Sequence, residues 1–456
     1  MQKGMNTSKS EEKTKKSLNY STKDGTAATV TVGAGDNFVS AYAVAMKATN
    51  FQIGLLSALP TLIPVELITT SLMKKFSRKR LVLAGVLVQI ALLLLMSLLG
   101  ILIFRETSLV AASLLIILFT LYASTGLFIS PAWYSWMKDL TEKIELGKYF
   151  GMRNKIFGIV SLITIISAGI ILSIFKKANL VFYGFAFLFI VAALTRTVSR
   201  AYLKKQHEPK LKLKKESFFS FWEFVKKAPE NNYGRFAIFI ALINFSVMIA
   251  GPFFSPYMLN DLKFGYITYT IINLVISGLA TLITMPLWGR FLDKYGCVKT
   301  MRMTVWAVPI VPLLWLVSPN ILWLVFIQIV SGVIWAGFNL ASGTFTFNAV
   351  TKERMNLCVA YSSILNGVAI FLGATLGGII ASLPIGFMNV FLFVFLISGI
   401  VRSIVITLLF PLISEVRPVK PEKPVLKMIL KQVHNLDFFE GFSNLIHPSS
   451  SHKKKR

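Results

Sequence analysis

At 456 residues, with 55% hydrophobic and only 15% charged side chains, the chain is too apolar for an ordinary soluble protein. A net charge of +28 would suit nucleic acid if the basic residues formed one face of a soluble domain, but they lie in the connections between apolar blocks, which excludes a nucleic-acid partner and points to a multi-pass protein of the cytoplasmic membrane.

Residues 1–26 are rich in Lys, Ser, Thr and Glu and lack a signal-peptide core, so they are expected to form a disordered cytoplasmic tail. Twelve apolar blocks of about twenty residues follow, each long enough to cross a hydrocarbon layer of about 30 Å. They begin near Ala27, Phe51, Leu81, Leu109, Ile156, Leu180, Phe236, Ile267, Met303, Ile321, Val359 and Ile385. The expected architecture is an all-α polytopic membrane protein of two six-helix bundles, 27–203 and 234–413. A basic cytoplasmic linker (204–233) joins them, and its aromatic stretch "SFFSFWEFVKK" suits an interfacial helix. The basic tail 414–456 has Leu426, Ile429, Leu430 and Val433 at helical spacing, which suits an amphipathic helix. Connections facing one side hold nearly all the basic residues; the opposite ones hold Lys47, Arg105, Lys176, Lys177 and Lys263. Both termini are therefore expected in the cytoplasm.

The halves read as a duplication. "DNFVSAYAV" (36–44) aligns with "GPFFSPYML" (251–259), "SLMKKFSRK" (71–79) takes the place of "RFLDKYGCV" (290–298), and Arg196 corresponds to Arg402.

Residues 289–299, "GRFLDKYGCVK", place Gly289, Asp293, Lys294 and Gly296 between the eighth and ninth blocks. The glycines would permit a tight turn and close helix approach, and Asp293 could face a helix N-terminus. This pattern resembles the signature loop of the major facilitator superfamily of secondary transporters, and the twelve blocks, the six-plus-six repeat and the long central loop are similar to that fold. The resemblance implies that Gly289, Asp293 and Gly296 gate the cytoplasmic side; the bland alternative is that Asp293 only caps a helix. The first-half copy, "TSLMKKFSRKR" (70–80), has Lys74 where the aspartate belongs, so that half either braces through Arg78 and Arg80 or is looser. "PAWYSWMKDL" and "GKYFGMRN" resemble a stretch of a poorly characterised prokaryotic branch of the superfamily. There Asp139 and Arg153 could pair as a cytoplasmic bracket or could be plain surface charges.

The first block, "AATVTVGAGDNFVSAYAVAM", is the least apolar and carries Asp36 and Asn37. Counted from Ala27, Asp36 lies roughly 13 Å deep, near the bilayer midplane, where an ionised acid costs at least about 2.5 kcal/mol and normally faces a wet cavity. Its repeat counterpart is Gly251, so symmetry does not require it. Asp36 is thus a candidate for binding a proton or cation coupled to solute movement. Alternatively, a later start of the block would leave it at the cytoplasmic mouth as a helix cap, or it could be a buried acid paired for structure. Tyr42, Asn244, Asn273, Asn339, Asn348 and Asn366 are cavity candidates that could equally bond between helices, and Glu66 suits a local ion pair with the basic loop.

Arg153, Arg196 and Arg402 fall toward cytoplasmic helix ends, so a multiply charged phosphate substrate is not expected. Cys297 and Cys358 are too few for a metal cluster, and no phosphate-binding Gly-x-x-x-x-Gly-Lys-Ser/Thr loop occurs, so neither cofactor nor ATP is expected. The fifth block, "GIVSLITIISAGIILS", lacks the Gly-Pro signature of many drug-proton antiporters of the superfamily, which disfavours that subclass without excluding multidrug export. The expected protein is a monomeric carrier in the lipid bilayer moving a small-molecule solute by alternating access; a transport-inactive sensor or scaffold on the same fold is the rival, and an enzyme is not expected.

Overall fold

The computed structural model describes residues 2–62, 65–73, 75–102, 109–141, 146–209, 220–350 and 354–416. Among these residues every regular element is helical. In the first half, α1 (Gln2–Ala34) leads through a 3₁₀ turn (Asp36–Phe38) into α2 (Val39–Ala45), followed by α3 (Asn50–Leu62), α4 (Val65–Leu72), α5 (Arg78–Leu102), α6 (Leu109–Thr141), α7 (Leu146–Lys177) and α8 (Val181–Lys205). The connection contributes α9 (Phe221–Lys227). The second half comprises α10 (Asn232–Ala250), a 3₁₀ turn (Gly251–Phe253), α11 (Phe254–Pro256), α12 (Tyr266–Thr270), α13 (Ser277–Tyr295), α14 (Cys297–Val305), α15 (Ile310–Leu314), α16 (Ile321–Ala349), α17 (Met355–Ala381) and α18 (Val390–Leu409).

Among the described residues, ten helical stretches are long and apolar enough to cross a membrane. The first two expected crossings are not among them. The first is polar in its N-terminal part and broken at the Asp36–Phe38 turn, and the described residues of the second lie in α3 and α4, on either side of residues 63–64, which are outside the description. Both nevertheless pack with the others: α1 lies against α7 and α8, and α3 against α6 and α17.

The duplication extends to backbone detail. The aligned stretches both break from α-helix into a 3₁₀ turn, at Asp36–Phe38 and at Gly251–Phe253. Tyr42 stacks on Phe185 at 4.6 Å and meets Phe189 at 5.5 Å. Its counterpart Tyr257 meets Phe391 at 6.3 Å and Phe395 at 5.6 Å. Each pair of phenylalanines precedes its arginine, Arg196 or Arg402, by eleven and seven residues.

The N-terminal segment expected to be disordered is instead helical in the structure. Ser17, Leu18, Ser21 and Asp24 are buried. The Tyr149 hydroxyl donates to the Leu18 carbonyl at 3.1 Å, and the His207 amide donates to Ser17 Oγ at 2.9 Å. Composition shows that such a segment cannot build a core of its own; it does not reveal that α6, α7 and the start of the linker supply one. In the linker, α9 is capped by Ser220, whose hydroxyl accepts from the Glu223 amide at 3.2 Å. Phe224 turns inward against Tyr233 and Tyr361, leaving Trp222 exposed. The amphipathic helix expected in the C-terminal tail lies outside the described residues, as does Lys74.

The halves meet tightly at the end that carries Lys47, Lys176 and Lys263. There the Asn50 side chain donates to the Ala381 carbonyl at 2.6 Å and the Ile267 amide donates to Ser173 Oγ at 3.0 Å. Lys176 Nζ sits 5.3 Å from the centre of the Tyr266 ring. The α3–α17 approach requires Gly54, since a Cβ there would come within 2.6 Å of the Ala374 carbonyl oxygen.

Candidate functional site

Asp36 sits on the 3₁₀ turn of the first half. The Tyr122 hydroxyl of α6 faces its carboxylate. Its Oδ1 is sealed from solvent and has no hydrogen-bond partner, although the residue as a whole is only partly buried. Arg196 of α8 lies close enough to attract it. That guanidinium is gripped by α5: Nε and Nη2 donate to Gln89 Oε1 at 3.0 and 2.7 Å. Gln89 in turn donates to the Tyr122 carbonyl at 3.4 Å. Gln89 stands eleven residues into α5, about 16 Å from its start and near its midpoint. An acid, a phenol, an amide and a guanidinium therefore converge halfway through an apolar bundle, where polar groups persist only when paired or in use.

The polar chain continues toward the end holding the linker. Arg196 Nη1 donates to Ser199 Oγ at 3.2 Å, and Ser199 Oγ donates to Asp24 Oδ1 at 2.5 Å. None of Asp24, Gln89 or Tyr122 stands out in the sequence: Asp24 falls in the segment read as a tail, and the other two depend on which face of a long helix turns inward.

A model of the Major Facilitator Superfamily matches residues 26–274 and 236–446. The chain belongs to the major facilitator superfamily. It is a multi-pass membrane protein of that superfamily. The multi-drug resistance efflux pump PmrA of Streptococcus pneumoniae is 28% identical over 183 residues, 40% of this chain and 44% of that protein. The chain thus matches less than half the length of this curated relative. Among solved structures, the nucleoside transporter NupG superposes with a TM-score of 0.68 at 14% identity, covering 87% of this chain and 100% of that one. A bacterial homologue of the iron transporter ferroportin in an inward-facing state superposes with a TM-score of 0.61 at 15% identity, covering 86% and 98%. At such identities the likeness shows the fold alone.

Within this superfamily fold, the other expected site residues are dispersed. Asn37 is half-buried beside Asp36, whereas Tyr42 is fully buried in the aromatic core and reaches the Met96 carbonyl at 3.4 Å, so it does not line a cavity. Asn244 donates to Asn366 Oδ1 at 2.7 Å, joining α10 to α17 within the second half. Asn339 is exposed on α16, and Asn348 reaches Cys297 Sγ at 3.6 Å.

The signature loop departs from its expected geometry. Gly289 lies inside α13, where an added Cβ would meet nothing within 4 Å, so no close approach demands it. Gly296 is the glycine the backbone requires: its φ of 85° ends α13, with its amide donating to the Leu292 carbonyl at 2.8 Å. Lys294 lies over the Tyr295 ring at 5.0 Å. Asp293 is exposed and, among the described residues, has no ion pair; the carboxylate at the start of α14 is that of Glu415, which accepts from the Val298 amide at 2.7 Å. That acid is 117 residues away in sequence, beyond the reach of a local motif.

The bracket expected between Asp139 and Arg153 is replaced by another. Asp139 Oδ2 accepts from Arg78 Nη1 at 2.6 Å, and the same guanidinium donates to the Pro209 carbonyl at 2.7 Å and faces Glu208 Oε1 at 3.6 Å. Arg78 thus braces the first half, whereas Arg80, expected to share that role, is exposed. Arg153 turns inward instead, stacked 5.0 Å from Trp133 and 4.5 Å from Phe157 and facing Asp24.

The arginines also correct the expectation that none reaches the middle of the bundle. Arg196 extends to mid-bundle Gln89. Arg402 is 2% exposed, and its Nη1 donates at 3.2 Å to the Val308 carbonyl. That carbonyl is orphaned because Pro312, four residues on, has no amide hydrogen. The ground for excluding a phosphate-bearing solute is thereby removed.

Proposed function

We propose that the protein has twelve crossings with both termini in the cytoplasm, and that it moves a small solute by alternating access with a proton or cation coupled through Asp36. One observation carries this reading: a mid-bundle carboxylate faces the Tyr122 hydroxyl and has one oxygen that is dry and, among the described residues, unpartnered. A group so placed can accept a proton without rearranging its neighbours, and its charge is felt by Arg196. The tight seam at the lysine-poor end supports a state open toward the termini, in which a cytoplasmic latch at Asp293 would be released. The twelve-crossing count rests on treating α1–α2, polar at its start and broken at the Asp36–Phe38 turn, as one crossing and α3 with α4 as another.

A second reading concerns the cargo. Similarity to PmrA favours export of several amphipathic compounds, despite the absence of a Gly-Pro pair in the fifth block. The test is flux in proteoliposomes under an imposed pH gradient, with ethidium and tetraphenylphosphonium as probes beside sugars and amino acids. Uphill movement driven by the gradient in wild type and lost in Asp36→Asn is the expected result. Undiminished, equally pH-dependent accumulation by that variant would sink the coupling role. No flux of any solute by well-folded wild type would favour the sensor or scaffold.

A further inference from the structure

Helix α1 carries a buried acid, Asp24, twelve residues before Asp36 and about 18 Å away along the chain. Two arginines face it. Arg153 approaches from α7, its guanidinium lying against Gly25, and Arg196 approaches from α8 through Ser199. Around Arg153 stand Tyr149 of α7 and Tyr134 of α6; around Asp36 stand Tyr122 of α6 and the same Arg196. One guanidinium is thus shared between two carboxylates at different depths.

We infer that Asp24 is a positioning residue for the coupling step: it holds the far side of Arg196 and thereby sets the pH at which Asp36 takes up and releases its proton. The inference rests on the coupling role of Asp36 given above. With Asp36 ionised, two arginines face two carboxylates and the cluster is neutral. When Asp36 takes a proton, an O–H bond forms there and the cluster carries one net positive charge, with Asp24 left as the counter-ion that Arg196 and Arg153 share, so Arg196 is not stranded without any carboxylate. Gln89 fixes the guanidinium between the two stations, and Ser199 is the tether to the inner one.

The test needs no solute. Wild type, Asp36→Asn, Asp24→Asn and Asp24→Glu are placed in lipid nanodiscs and titrated while infrared difference spectra follow the carboxyl C=O stretch. The titrating band missing from Asp36→Asn belongs to Asp36. Neutralising Asp24 removes a negative charge and leaves Arg196 to Asp36 alone, so that band's midpoint moves toward acid by about half a pH unit or more, while Asp24→Glu keeps the wild-type midpoint. If Asp24→Asn does not fold, Ser199→Ala, which cuts the 2.5 Å bond, moves the midpoint the same way. An unmoved midpoint in folded Asp24→Asn, or in Ser199→Ala where that variant stands in for it, overturns the inference and leaves the Asp36 assignment standing. A spectrum unaltered by Asp36→Asn overturns the assignment itself.

Discussion

Arg196 and Arg402 occupy equivalent positions in the two halves, yet removing them has opposite consequences. In Arg196→Met two buried carboxylates, Asp24 and Asp36, lose a shared cation, and Gln89 loses two bonds of 3.0 and 2.7 Å. Breaking a buried pair from one side costs about 3–5 kcal/mol. In Arg402→Met the losses are bonds of 3.2 and 3.4 Å to the Val308 and Val247 carbonyls, and among the described residues no carboxylate is abandoned. An orphaned carbonyl costs about 1–3 kcal/mol, but removing a buried cation that has no counter-charge returns several kcal/mol. Arg402→Met is therefore near neutral or stabilising, and Arg196→Met is strongly destabilising. Thermal unfolding of the detergent-solubilised proteins, followed by tryptophan fluorescence, reads the difference. Acidifying the sample neutralises the stranded carboxylates, so the gap between Arg196→Met and wild type narrows toward low pH. Equal losses in the two variants, or a gap that widens in acid, would refute the reasoning.

Asp36→Asn keeps an acceptor for Tyr122 and costs about 1 kcal/mol in stability, while proton-driven flux in proteoliposomes falls to the level of empty vesicles. Gly54→Val places side-chain atoms against the Ala374 carbonyl and pries α3 from α17; a cysteine introduced at Ser382 then reacts faster with a membrane-impermeant maleimide in a background where Cys297 and Cys358 are serine. Glu415→Ala removes the acceptor for the Val298 amide and costs about 1 kcal/mol, whereas Asp293→Ala leaves the melting curve within about 0.5 kcal/mol and changes labelling at the end that holds the α13–α14 turn instead. A loss of stability in Asp293→Ala matching that of Glu415→Ala would make the signature acid a structural cap.

The halves and their repeat were legible because apolar blocks and a few landmark residues recur in order, and the aligned 36–44 and 251–259 stretches fold into matching broken helices. Asp36 was legible because an acid inside an apolar block is conspicuous. Its partners were not. Gln89 and Tyr122 are ordinary residues on long helices, and only the rotation of α5 and α6 turns them toward Arg196. Arginine depth does not follow from the Cα position, because a long side chain carries its guanidinium a turn or more from its own backbone. The Asp139–Arg153 pairing failed for a related reason, since Arg78 lies nearby only after α5 packs on α6.

The α1 helix has a practical consequence for anyone who shortens the protein. The superfamily match starts at residue 26, which invites a deletion at that border. Such a trimmed chain would lose the ties at Ser17 and Leu18 and, with Asp24, the inner counter-ion of Arg196. It could insert and still superpose on its relatives while its response to acid was altered, so truncated and full-length material are not interchangeable in any measurement of energetics.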